Sequence, residues 1–228
     1  MSRCRPPDAA AGRRAAVRIR GAGRKPASTR WLARQLNDPY VAAARLQGYR
    51  SRAAFKLAEL DLRFRLLRPG LKVADLGCAP GGWTQVAVER VGPQGRVVGI
   101  DLAPTAPVAG ARLLQGDLRD PGTAAAIRAA LGGLANVVLC DIAAPATGHA
   151  ATDHRRSVAL AEAGFSIAAE LLAPGGGFVA KLLRGGAEGE LLAALKQAFA
   201  ELRQAKPPAS RAESAETYLV ARGFRRPA

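Results

Sequence analysis

Aromatic side chains make up only 5% of this 228-residue chain, so Leu, Val and Ala must fill most of any core. Cysteine is scarcer: Cys4, Cys78 and Cys140 are too few and too scattered for a disulfide framework or a zinc site. His149 and His154 do not make a metal cluster, and no metal is expected. No apolar run reaches the roughly 20 residues of a membrane span. No secretory signal is visible, and a reducing, cytoplasmic setting fits the cysteine usage. Nothing in the sequence suggests an obligate oligomer, so a monomer is expected.

Acid is also in short supply. There are 34 Lys and Arg against 18 Asp and Glu, a net charge of +16. Such an excess makes a polyanion the natural partner. The charge is lopsided: residues 1–36 hold ten basic residues and the single acid Asp8, and residues 37–68 add seven against three. A basic tail that only aids solubility is the plain alternative for the first stretch. An Arg- and Ala-rich, acid-poor start also describes organellar leaders, though this one is not rich in Ser. Residues 1–27 lack apolar periodicity and read as a flexible basic arm.

What is present is 49% hydrophobic residues, enough for one folded domain, expected over 28–228. Within 28–68, Trp31, Leu32, Leu36, Tyr40, Val41, Ala44 and Leu46 recur at helical spacing. So do Phe55, Leu57, Leu60, Leu62, Phe64 and Leu67, with Arg and Lys between them. This predicts two or three amphipathic helices with a basic face, able to hold phosphates and to stack bases on Trp31, Tyr40 and Tyr49. Pro69-Gly70 marks a turn into a catalytic core expected over 71–225. There the chain alternates. Strands are predicted at 72–76, 96–100, 112–114, 136–140, 178–182, 201–206 and 216–221, and helices at 84–90, 123–131, 155–172 and 188–199. The long helix is expected to end at Pro174 and the glycine run after it. Such alternation means an α/β fold with a mostly parallel sheet, helices on both faces, and a site beyond the carboxyl ends of the strands.

Asp75-Leu76-Gly77-Cys78-Ala79-Pro80-Gly81-Gly82-Trp83 follows the first strand and opens the first core helix. Glycines let backbone approach a ligand, and a helix start offers N–H groups to a carboxylate. The run matches neither the dinucleotide fingerprint nor a phosphate loop. It suits a cofactor with a free carboxylate and no phosphate. Asp101 is positioned to accept from both hydroxyls of an adenosine ribose, and Asp117 from an adenine amino group. With Asp75 and Asp141, four successive strands end in acid. Together with the glycine loop this points to S-adenosylmethionine. Each acid alone is readable as a turn cap, Asp75 above all, as a brace for its loop. Cys78 and Cys140 read as small buried thiols, with a covalent base-methylating role for Cys78 as the alternative.

The run Ser51-Arg52-Ala53-Ala54-Phe55-Lys56-Leu57, the segment Asp75–Trp83, and Gly116-Asp117-Leu118-Arg119-Asp120 resemble the FtsJ-type RNA 2′-O-methyltransferases. So do Asp141-Ile142-Ala143, Gly177-Phe178-Val179-Ala180-Lys181 and Ser214-Ala215-Glu216-Thr217-Tyr218. The resemblance covers about residues 28–225. Ser28-Thr29-Arg30-Trp31-Leu32 and Asp38-Pro39-Tyr40-Val41 are similar to its bacterial branch, which methylates a uridine of large-subunit ribosomal RNA. The resemblance implies a Rossmann-like methyltransferase fold, seven strands with the last antiparallel, and S-adenosylmethionine as cofactor. It implies a catalytic set of Lys56, Asp141, Lys181 and Glu216, and cofactor contacts at Gly81, Trp83, Asp101, Asp117 and Asp141. One departure falls after Asp141, where proline comes one place later than in the family, at Pro145, and Ala146 and Thr147 replace the usual polar residues.

A ribose 2′-hydroxyl attacks only once its proton has somewhere to go. Lys181 sits in a strand of Phe, Val, Ala and Leu, where desolvation and the nearby charges of Lys56 and the sulfonium favour the neutral amine. Lys181 is therefore the expected base, with Asp141 and Glu216 aligning the groups. Without the resemblance, Lys56 reads as an RNA contact and Glu216 as an edge charge. His149 and His154 read as bystanders. The readings left open are transfer RNA as substrate, or an RNA-binding assembly factor that keeps the fold without catalysis.

Overall fold

A computed structural model describes residues 32, 33 and 35–226; the basic arm 1–27 and Trp31 fall outside the described residues. Helix α1 (Pro39–Gln47) starts as its sequence dictates. Asp38 caps it by accepting from the Tyr40 N–H at 3.0 Å, Pro39 fills the first turn, and Gly48 closes it at φ 77°. Helix α2 (Ala53–Phe64) follows, burying Phe55, Leu57 and Leu60.

The core then runs β1 (Lys72–Leu76), α3 (Gly82–Val91), β2 (Arg96–Asp101), β3 (Ala111–Gln115), α4 (Thr123–Leu131) and β4 (Ala135–Cys140). It continues with α5 (Ala150–Leu171), β5 (Leu172–Leu183), α6 (Gly189–Ala198), β6 (Phe199–Ala205) and β7 (Glu216–Phe224). The seven strands form one sheet in the order β3-β2-β1-β4-β5-β7-β6. The first five pair in parallel, and β7 runs antiparallel between β5 and β6. The order reverses direction between β1 and β4, which opens a crevice at their carboxyl ends.

Both faces of the sheet are covered, so its central strands read as continuous apolar runs rather than alternating ones. Leu76, Val98, Val138, Phe178 and Ala180 face one cluster, shared with α4, α5 and α6. Val73, Val97, Leu139, Val179 and Tyr218 face the other, shared with α1, α2 and α3. The helices that sequence reading assigned to RNA are thus part of the core packing. Most boundaries move by one to three residues, and the largest differences are at α5 and β5. Helix α5 begins at Ala150 rather than 155, because Asp153 joins its first turn. It ends at Leu171, and β5 begins at once: Leu172 pairs with Ala135, and the stretch 173–176 forms an irregularity before regular pairing resumes at Gly177. Pro is tolerated at such a bulge because no ladder N–H is required of it.

Phe178 is fully buried and rings with Phe165 and Phe199 at centroid distances of 6.0 and 6.5 Å. Phe178→Ala removes the centre of that cluster and is expected to destabilise the chain by about 3–5 kcal/mol. Urea unfolding checks this; a shift below about 1 kcal/mol would mean that the cluster repacks freely.

Candidate active site

At the carboxyl ends of β1–β4 lies a cavity of about 680 Å³. Its walls include Gly77, Ile100, Asp101, Asp117, Asp141 and Ile142. The loop after β1 is tied to the end of β2: the Ala79 N–H donates to Asp101 Oδ2 at 2.9 Å, and Gly77 and Cys78 both donate to the Ile100 carbonyl. Asp101 Oδ1 accepts from Ala103 N–H at 2.9 Å. One carboxylate therefore fixes two loops and still faces the cavity. Asp117 holds a bidentate pair with Arg119, which keeps its carboxyl low, at about 2.

A second cavity of about 150 Å³ adjoins the first, sharing Ile142, Ala143 and Ala144 with it, and is lined also by Lys181 and Glu216. Strand register explains this convergence. Lys181 stands opposite Tyr218 and Leu183 opposite Glu216 in the antiparallel β5–β7 pair. Residues two apart share a face, so Lys181, Tyr218 and Glu216 all face α2, which carries Lys56. Asp141 follows the last residue of the neighbouring β4. The four predicted residues do meet. Lys56 Nζ donates to Glu216 Oε2 at 2.7 Å; Lys181 Nζ lies 3.2 Å from Asp141 Oδ1 and 3.0 Å from its carbonyl.

Tyr218 joins the two pairs and was not predicted. Its hydroxyl donates to Asp141 Oδ1 at 2.9 Å, and Lys56 Nζ stands 5.9 Å from its ring centroid. Burial, then the charges of Asp141 and Glu216, push its phenol well above the ordinary tyrosine value, so it remains a donor. Ser210, also missed, donates to Glu216 Oε1 at 2.7 Å. Burial works to raise the Glu216 carboxyl, but Lys56 and Ser210 outweigh it and hold it low. Tyr218 escaped the sequence reading because a tyrosine within an apolar strand reads as core. It is core as well, packed 5.6 Å from the Trp83 ring.

Gly81, Trp83 and Asp75 stand differently from expectation, whereas Cys78 and His154 stand as expected. The Trp83 indole does not line the cavity; its Nε1 donates to the Ala53 carbonyl at 2.8 Å, and Gly81 lies behind the cavity wall, covered by Arg50. Asp75 does not end its strand, since β1 continues through Leu76, and its carboxylate is fully buried against Thr84 Oγ1 at 2.6 Å. Cys78 is a buried thiol pushed up to about 12, chiefly by burial and then by Asp75, which leaves little thiolate for a covalent role. His154 is buried, with Nδ1 2.6 Å from the Leu183 carbonyl and Nε2 accepting from Ala187 N–H at 2.8 Å. It pins the β5–α6 loop to α5.

Residues 49–224 match the family model described as FtsJ-like methyltransferase. The chain belongs to the FtsJ-like methyltransferase family. It is 57% identical to the ribosomal RNA large subunit methyltransferase E of Acidiphilium cryptum, over 93% of this chain and 94% of that protein. It is 58% identical to the protein of the same name from Paramagnetospirillum magneticum, over 89% and 85%. Among solved structures, a ribosomal RNA methyltransferase from Plasmodium falciparum superimposes with a TM-score of 0.70 at 30% identity, over 77% of this chain and 98% of that one. FtsJ-like methyltransferases use S-adenosylmethionine, and the larger cavity suits it. Asp101, Asp117 and Asp141 place carboxylate acceptors in its wall, and Ile100, Leu102 and Leu118 give it an apolar side fit for a flat ring.

Two predictions follow from this geometry. Tyr218→Phe keeps the ring packing and removes one bond to a carboxylate, worth about 1.5–3 kcal/mol; turnover should fall about tenfold or more with cofactor affinity unchanged in calorimetry. Unchanged turnover would reduce Tyr218 to packing. Asp75 Oδ1 has no hydrogen-bond partner among the described residues. Burial pushes this carboxyl up to about 7, with Asp141 and Asp101 adding to it and Thr84 opposing. The folded value exceeds the unfolded value of about 3.9. Stability is therefore fully present below about pH 4 and lost as pH rises to about 7, by at most about 1.4 kcal/mol per unit. Asp75→Asn, measured by urea unfolding at pH 5 and pH 8, should lack most of this loss; equal losses in both proteins would contradict the assignment.

Proposed function

We propose that this chain transfers the methyl group of S-adenosylmethionine to a ribose 2′-hydroxyl, expected to be a uridine's, in large-subunit ribosomal RNA. The observation that carries the reaction is the Lys181–Asp141–Tyr218 contact at the border of two cavities, one fit for the cofactor and one open to an acceptor. The names borne by its relatives support the substrate class. S-adenosylmethionine supplies an electrophilic methyl group when bound. Lys181 Nζ, in the smaller cavity, accepts the hydroxyl proton. Asp141 holds that amine from one side and lines the cofactor cavity on the other. Glu216 fixes Lys56, whose charge steadies the developing alkoxide. Gly81, Trp83, Asp101, Asp117 and Asp141 hold the cofactor, with Gly81 and Trp83 acting through backbone. The net charge of +16 supports RNA as partner. No helix among the described residues is long and apolar enough to cross a membrane. A cytoplasmic monomer acting on the large ribosomal subunit completes the proposal.

Lys181→Ala tests it. Methyl transfer to large subunits should fall about 10²–10⁴-fold while cofactor still binds. Near-normal turnover in the variant would remove Lys181 as the base.

A further inference from the structure

Arg50 lies in the basic N-terminal stretch that charge alone assigns to RNA. Its surroundings argue for different work. The turn Gly48-Tyr49-Arg50 is bolted to α3. Arg50 N–H donates to Gln85 Oε1 at 2.9 Å, Gln85 Nε2 donates back to the Gly48 carbonyl at 3.0 Å, and Tyr49 Oη donates to Glu89 at 2.6 Å. From this fixed base the guanidinium reaches two loops at once. Nη1 donates to the Pro80 carbonyl at 3.1 Å and to the Ala106 carbonyl at 2.5 Å, and Nη2 to the Pro107 carbonyl at 2.5 Å.

Pro80 belongs to the loop between β1 and α3. Ala106 and Pro107 belong to the loop that leaves β2 just after Asp101. These two loops start beside each other at the cofactor cavity, where Asp101 already ties Ala79 to Ala103. Gly81, at φ 110°, lies under the same side chain: a Cβ there would stand 2.8 Å from Arg50 Nη1 and 3.1 Å from Val108 Cγ2. Three carbonyls from two loops around one planar fork match what guanidinium does and what the point charge of a lysine cannot do.

We propose that Arg50 is a positioning residue for the cofactor site. It clamps the Pro80 loop to the Ala106–Pro107 loop, so that Asp101 and the start of α3 are pre-set for S-adenosylmethionine. This rests on reading the larger cavity as the cofactor site. The clamp lowers the ordering cost of binding rather than touching the reacting atoms. The guanidinium is exposed, so the effect is moderate.

The test compares wild type, Arg50→Ala and Arg50→Lys by calorimetry with S-adenosylmethionine, by thermal unfolding, and by steady-state methyl transfer to large ribosomal subunits. Arg50→Ala should raise the cofactor Kd about five- to tenfold, and Arg50→Lys nearly as much, because charge without the fork does not rescue. The KM for subunits and the kcat at saturating cofactor should stay within about twofold. An unchanged cofactor Kd with a raised KM for subunits would overturn the proposal and make Arg50 a phosphate ligand. A lower Tm with equal losses in every parameter would overturn it too, as general destabilisation. If wild type bound cofactor yet left subunits unmethylated, the substrate reading would fall while the calorimetric comparison still decided the role of Arg50.

Discussion

The site depends on one register. Because β5 and β7 pair antiparallel with Lys181 opposite Tyr218 and Leu183 opposite Glu216, three polar side chains emerge from an otherwise apolar sheet face toward α2. A slip of one residue would turn either Lys181 or the Tyr218 and Glu216 side chains into the opposite cluster and separate groups that now hold one another. Apolar neighbours enforce the register. Phe178, Ala180 and Leu182 fill one side, and Val179 with Val220 the other. The hydrophobic pattern of β5 is therefore what aims its lysine.

Burying charge on that face is costly, and the arrangement offsets the cost by pairing. Lys56 and Glu216 have side-chain exposures of 13% and 15%, Lys181 and Asp141 of 11% and 14%, and each lysine has its own carboxylate. Ser210 and Tyr218 satisfy further lone pairs. Removing one partner strands the other, which is why such sites tolerate substitution poorly. The N-terminal helices take part in the same network. Arg52 joins Asp38 to the Ala209 carbonyl, and Glu59 accepts from both Ala209 N–H and Tyr40 Oη, so the loop carrying Ser210 is held by α1 and α2. The N-terminal helices thus help to set the catalytic geometry.

Much of this was legible in the sequence. β1 and α4 fall where periodicity put them, because short apolar runs bounded by Gly and polar residues leave little choice of boundary. Lys181 stood out as a charge inside an apolar strand. The rest was hidden for physical reasons. Asp75 and Asp101 look alike in sequence, but one more strand residue, Leu76, turns Asp75 into the interior. Tyr218 satisfies a core pattern and a hydrogen-bonding role with the same ring. Trp83 follows a glycine loop and looks like a ligand contact, whereas its indole packs on Tyr218. Arg50 is indistinguishable from other basic residues until three carbonyls from distant loops surround it. Long-range convergence leaves no local pattern to read.

The most direct measurement is methyl transfer from labelled S-adenosylmethionine to large ribosomal subunits taken from cells lacking this enzyme, followed by nucleoside analysis. The account predicts label on the ribose 2′-oxygen of one nucleoside, a uridine. Label on a base would contradict it, since no lysine base is needed there and the Cys78 thiol is unsuited to the alternative. Absence of label despite cofactor binding would contradict the assigned substrate.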